Sequence, residues 1–127
     1  MNYRLVSKLL GLSIGLFTMS MLVAVPFAVW YGEWRELLGF TEAIGTGLVV
    51  AAVFYLFGRE AKGDIYRRET LAIVGLSWII AAGVGALPFL FMGVANYTDA
   101  YFESMSGLTT TGSTILTDIE SLPKSLL

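Results

Sequence analysis

The stretch Thr109-Thr110-Thr111-Gly112-Ser113-Thr114 offers hydroxyls and backbone carbonyls without a single charge, which suits it to holding a desolvated cation. Carbonyl oxygens facing a pore axis replace an ion's hydration shell, and threonine hydroxyls add oxygens or tie the strand to its neighbours. Gly112 can turn its carbonyl inward because it reaches backbone angles closed to residues with a β-carbon. Upstream, Asn96-Tyr97-Thr98-Asp99 reads as a turn and a helix start, with Thr98 or Asp99 able to cap free N–H groups. A helix from Asp99 to Leu108 is about 15 Å long, half a bilayer. A half-length helix followed by an extended Thr/Gly segment is what a re-entrant pore loop needs. Such backbone is tolerated at membrane depth only where protein buries it or it lines a water-filled cavity. If the helix descends from outside, its C-terminal end carries partial negative charge to the membrane centre and attracts a cation. By motif alone, the run also fits a polar external loop beside an amphipathic helix lying on the membrane. No Gly-Lys-Ser/Thr follows at the spacing of a phosphate-binding loop. The chain has no cysteine and no histidine, which excludes thiol chemistry and removes the commonest acid–base group. No catalytic residue is assigned, and the chain is not read as an enzyme.

The elements that must position this segment are membrane helices. Only 14% of the residues are charged against 56% hydrophobic, where a soluble domain carries about 25% charge. Leu9 to Gly32 and Thr70 to Thr98 contain no Asp, Glu, Lys or Arg, and Leu37 to Gly58 contains only Glu42. Each run supplies the roughly 20 apolar residues a helix needs to cross a bilayer, and none shows the polar stripe of a soluble amphipathic helix. Arg4 and Lys8 ahead of the first run imitate a signal peptide, but the run exceeds the roughly 7–15 residues of such a core and is read as a permanent span. Arg4, Lys8, Arg59, Lys62, Arg67 and Arg68 fall on one side of the resulting path, and the positive-inside rule makes that side cytoplasmic, with the N-terminus. The net acidic loop Tyr31 to Glu36, and Asp99, Glu103, Asp118 and Glu120, then lie outside, with Trp30, Tyr31 and Trp34 as an interfacial belt. The spans carry Ser13, Thr18, Ser20, Thr46 and Ser77 but no ionisable group near a midplane, which counts against a proton relay within these helices. Gly11 and Gly15 form a GxxxG pair suited to close helix packing, although glycine is common in membrane helices in any case. Pro26 and Pro88 lie near the outer ends of their spans, where a missing hydrogen bond costs least.

Phe102-Glu103-Ser104-Met105-Ser106-Gly107-Leu108-Thr109-Thr110-Thr111-Gly112-Ser113-Thr114 resembles the first pore helix and selectivity filter of the Trk/Ktr/HKT potassium transporter superfamily. Gly85-Ala86-Leu87-Pro88-Phe89 and Leu122-Pro123-Lys124-Ser125, with two helices ahead of the first pore unit, are similar to its TrkH branch. The resemblance implies an all-α integral membrane fold of three transmembrane helices plus a re-entrant pore helix and extended filter loop. This would be part of an architecture with four helix–pore-loop–helix repeats. Residues 1–65 would be the leading two-helix domain and 66–127 the first repeat without its closing helix, so a fragment of a longer protein is expected. Also implied are potassium uptake across the bacterial inner membrane, contact with lipid and the remaining repeats, a homodimer, and a cytosolic nucleotide-binding regulatory subunit of the TrkA kind. No cofactor is implied beyond potassium as the transported ion, and no nucleic acid. By position, the ion-binding backbone is that of Thr110, Thr111, Gly112 and Ser113. Aligned on Gly112 with the channel filter Thr-Val-Gly-Tyr-Gly, Ser113 replaces the tyrosine and Thr114 the second glycine, as in the transporters rather than the channels. The alternative is a small helical membrane protein with an assembly or regulatory role and no pore. A reading frame continuing beyond Leu127 with three more Thr/Gly loops separates the two.

Overall fold

The structure, a computed structural model, describes residues 2–117 and 122–124. Asp118, Glu120 and Ser125 lie outside the described residues. Those described are helical or irregular, and three helices are long and apolar enough to span a membrane: Tyr3–Trp30, Trp34–Gly58 and Arg67–Phe91. The shortest of these have 25 residues, about 37 Å at 1.5 Å per residue, enough for a hydrocarbon core of about 30 Å. Both prolines mark irregularities. The first span tightens into a 3₁₀ turn at Met21–Val23 just before Pro26, and the third breaks at Ala86 and restarts as Leu87–Phe91 with Pro88 in its first turn. Proline lacks the N–H that would continue the ladder, and the first turn of a helix tolerates that loss.

Glycine sets the distance between the first two spans. A β-carbon on Gly11 would stand 2.5 Å from the Tyr55 nitrogen and 2.7 Å from the Ala51 oxygen, and one on Gly58 would collide with the backbone of Arg4 and Lys8. Gly11 is therefore a packing requirement, not a by-product of composition, whereas a β-carbon on Gly15 would meet only Ala51 Cβ at 3.6 Å, an ordinary contact. Without a hydrophobic drive between helices in lipid, such close approach provides the dispersion contacts that hold them. Ser7 Oγ adds a 2.7 Å hydrogen bond to the Phe54 carbonyl across the seam. The third span joins where Gly47 faces Thr18 and Val84, and Val6, Leu10, Ile14, Ala51 and Val84 form the core. Thr18, Ser20, Thr46 and Ser77 each satisfy their hydroxyl on a carbonyl three or four residues back in their own helix, so they need no polar partner elsewhere.

At one end of the bundle the first and third spans are tied together. The buried Glu69 carboxylate accepts from the Asn2 nitrogen at 2.6 Å and the Tyr66 nitrogen at 2.9 Å, while Asn2 Oδ1 caps Leu5. Arg4, Lys8, Arg59, Lys62, Arg67 and Arg68 collect at this same end, because Gly58 abuts Arg4 and Asn2 abuts Glu69. The outward faces are apolar and open: Leu16 is 76% and Leu71 74% exposed. Side chains of this kind are left bare where hydrocarbon is the solvent.

Candidate functional site

A short helix, Tyr97–Leu108, follows the third span and doubles back along it. It begins two residues earlier than the sequence predicts. Asn96 is the cap position, and Thr98 and Asp99 fall within the first turn, where the acidic side chain complements the N-terminal dipole. At 12 residues it is about 18 Å long. Its seat is Gly85, whose missing side chain leaves room for Ser104. Tyr101 reaches further along the third span and donates to the Ile79 carbonyl at 3.2 Å. Leu108 shares a cavity with Ser13, Phe17, Ser77, Trp78 and Ala81, near the middle of the first and third spans. The helix thus runs from the end of the third span to its half-way point.

There the chain reverses. Thr109 is the C-cap, the Thr110 nitrogen donates to Gly107 and the Thr111 nitrogen to Ser106, which is the paired closure of a Schellman motif. That motif needs a left-handed residue, usually glycine, just past the cap. Here it is Thr110, at φ +55°, a genuine outlier for a β-branched side chain. Gly112 is left-handed again at +70°, while Thr111 between them keeps negative φ, so the backbone changes hand repeatedly within three residues.

The segment then retraces the helix. Ser106 Oγ donates to the Ser113 carbonyl at 2.7 Å; one oxygen of Glu103 accepts both Thr114 Oγ1 and the Ile115 nitrogen at 2.8 Å. Later positions therefore pair with earlier turns of the helix. Beyond, the Lys124 nitrogen donates to Glu33 at 2.8 Å and its ammonium lies 4.8 Å from the centre of the Tyr31 ring. The chain has returned to the end of the bundle where the first two spans connect. Of the four residues expected from sequence, Thr110, Thr111 and Gly112 have carbonyls that accept no hydrogen bond from a described residue, and all four are exposed. Ser113 gives one lone pair to Ser106 and keeps a second. The sequence places Glu103 and Ser106 in the short helix but does not pair them with the segment that follows; their three-residue spacing, which puts them on one face of the helix, was the available signal.

No protein-family model matches the chain. It is 38% identical over 129 residues to the Trk system potassium uptake protein TrkH of Escherichia coli, covering all of this chain and 26% of that protein. The Halomonas elongata TrkH is 34% identical over 131 residues, again across the whole chain and 27% of the relative. An uncharacterized cation transporter of Methanocaldococcus jannaschii is 36% identical over 116 residues, covering 90% of this chain and 23% of that one. The crystal structure of the potassium transporter TrkH from Vibrio parahaemolyticus superposes with a TM-score of 0.89 at 32% identity, over 99% of this chain and 27% of that chain. The chain spans about a quarter of the length of the curated relatives it matches.

Proposed function

This chain carries TrkH-type sequence and fold from end to end, across about a quarter of its relatives' length, and from that premise we propose that it is the leading part of a potassium-uptake transporter. Residues 1–65 are its two-helix leading domain and 66–127 the start of the first of four pore repeats. Tyr97–Leu108 is a re-entrant pore helix entering from the outer face, with the N-terminus cytoplasmic and the membrane that of the bacterial cell. Thr110, Thr111, Gly112 and Ser113 are the part of the ion filter that this repeat contributes. The transporter works as a homodimer with a TrkA-like cytosolic regulator. One observation carries the reading: the chain leaves the third span, reaches its mid-depth, and retraces the short helix to the end it left, with the carbonyls of Thr110 to Gly112 unspent at the turning point. Placed at mid-membrane, those oxygens and the negative helix end favour a cation and offer it ligands in place of water.

The test is Gly112→Ser against Gly107→Ser in a full-length transporter carrying this segment. Open space surrounds the β-carbon position at both glycines, but only Gly112 has positive φ. A side chain in that conformation costs roughly 1–2 kcal/mol, so Gly112→Ser lowers rubidium uptake or its resistance to competing sodium while Gly107→Ser does not, at matched membrane abundance. Parental behaviour of Gly112→Ser in both measurements refutes the assignment of Thr110 to Ser113.

A further inference from the structure

Glu103 stands half-buried in the middle of the short helix. Among the described residues, the one salt bridge is Arg59 with Glu60, so Glu103 has no cationic partner there. Instead one of its oxygens collects two donors, Thr114 Oγ1 and the Ile115 nitrogen, each at 2.8 Å. The Thr114 hydroxyl in turn accepts from the Leu116 nitrogen at 3.1 Å. One turn along the helix, the buried Ser106 donates to the Ser113 carbonyl. The segment is therefore held at both ends of its free carbonyls: at Thr110 and Thr111 by the helix closure, and from Ser113 to Leu116 by this ladder. On the near side the Thr111 hydroxyl is also tied to the Thr109 hydroxyl at 2.8 Å, which leaves Gly112 as the residue between the two anchors.

We propose that Glu103 is a positioning residue for ion selection, acting as a hydrogen-bonding strut that fixes the far side of the filter segment against its own helix. The inference rests on the filter reading given above. A carboxylate suits the role because charge-assisted hydrogen bonds are shorter and about twice as strong as neutral ones. Two donors also converge here on one acceptor, where a single hydroxyl would have to supply a proton of its own. Selection between potassium and sodium depends on how firmly carbonyls hold their spacing or their number around the ion. Loosening the strut thus changes selectivity before it changes folding. A carboxylate that merely drew cations toward the pore would act through charge and would have no use for the Thr114 hydroxyl.

The experiment compares Glu103→Ala, Glu103→Gln, Thr114→Val and Gly112→Ser in a full-length transporter carrying this segment, reading rubidium uptake, its competition by sodium, and membrane abundance. Glutamine keeps an acceptor oxygen and loses the charge; alanine loses both. Loss of a net hydrogen bond to a charged group corresponds to about tenfold or more, so Glu103→Ala is expected to lower the preference for rubidium over sodium by about that factor at unchanged abundance. Glu103→Gln retains it within about threefold. Thr114→Val falls between them, and adds little when combined with Glu103→Ala, because both remove one interaction. Should Glu103→Ala fail to reach the membrane, the ordering of Glu103→Gln above Thr114→Val in selectivity carries the test. Glutamine as damaging as alanine, or Thr114→Val without effect, overturns the strut. Gly112→Ser separates the two ideas. If it disrupts selectivity while Glu103→Ala does not, the strut is wrong and the filter stands; if it does nothing, the filter reading falls and the strut with it.

Discussion

The seat of the short helix can be tested with two atoms. A β-carbon built on Gly85 collides with Ser104 Oγ, while the next neighbours, Phe17 Cζ at 3.4 Å and Ser104 Cβ at 3.5 Å, are in ordinary contact. Gly85→Ala therefore has one offending partner, and it is a side-chain oxygen. Forcing a methyl group into a packed helix crossing costs typically about 1–3 kcal/mol. Ser104→Ala removes the oxygen and leaves the β-carbon where it stands, so the double variant faces only the tolerable contacts. The expected pattern is a loss of about 1–3 kcal/mol for Gly85→Ala, a change within about 1 kcal/mol for Ser104→Ala, and recovery of most of the loss in the double variant. That gives a coupling energy within the roughly 0.5–3 kcal/mol range found for residues in contact. Denaturation midpoints in one detergent measure the stabilities. Rubidium uptake by a full-length transporter carrying this segment measures whether the helix, once lifted, drags Thr110 to Gly112 with it. A Gly85→Ala variant as stable as the parent, or a double variant no better than Gly85→Ala alone, refutes this account of the seat.

Gly11→Leu should prevent the first two spans from closing, because the obstructing atoms are backbone atoms of Ala51 and Tyr55 at 2.5–2.9 Å; strongly reduced accumulation of folded protein in the membrane is the expected readout. Thr110→Gly relieves the left-handed strain at φ +55° and should stabilise the helix end by about 1 kcal/mol, visible as a raised denaturation midpoint, whatever it does to transport. For orientation, single cysteines at Arg35 and Asp64, in a chain with no native cysteine, should differ: an impermeant thiol reagent added outside labels the first and spares the second. Labelling of Asp64→Cys from outside would reverse the sides.

Much of this was legible in the sequence, for identifiable reasons. The three spans are dictated by composition over long windows, and the structure places them where the uncharged runs predict. Pro26 and Pro88 likewise sit beside the irregularities their missing N–H groups require. What depended on a distant partner was not legible. Gly11 reads as ordinary membrane-helix glycine until Ala51 and Tyr55 are brought against it. Glu69 looks like a loop-side charge until the Asn2 nitrogen, 67 residues away, is found bonded to it. In the candidate site, the oxygen-rich residues and the glycine with its special backbone angle could be named from their types. The left-handed turn at Thr110 could not, because threonine is a poor choice for such a position and only the Schellman geometry requires it there. The bonds that Glu103 accepts from Thr114 and Ile115 belong to the same class, since they form only when the chain folds back onto its own helix.

The glycine seam between the first two spans has a consequence for the order of assembly. These helices are joined by a link of only a few residues between Trp30 and Trp34, and their contact surface is complete once Gly58 is in place. The chain emerges at about 5–20 residues per second, so the 50 residues from Gly58 to Leu108 (108 − 58) take about 3–10 s to synthesise. Docking of packed elements takes from milliseconds upward, and at the fast end of that range this pair closes first and presents Phe17, Thr18 and Gly47 as a finished surface. The third span and then the short helix are moulded onto it. Damage to Gly11 or Gly58 should therefore be felt during biogenesis as failure to make the site at all, rather than in the finished protein as a weakened one.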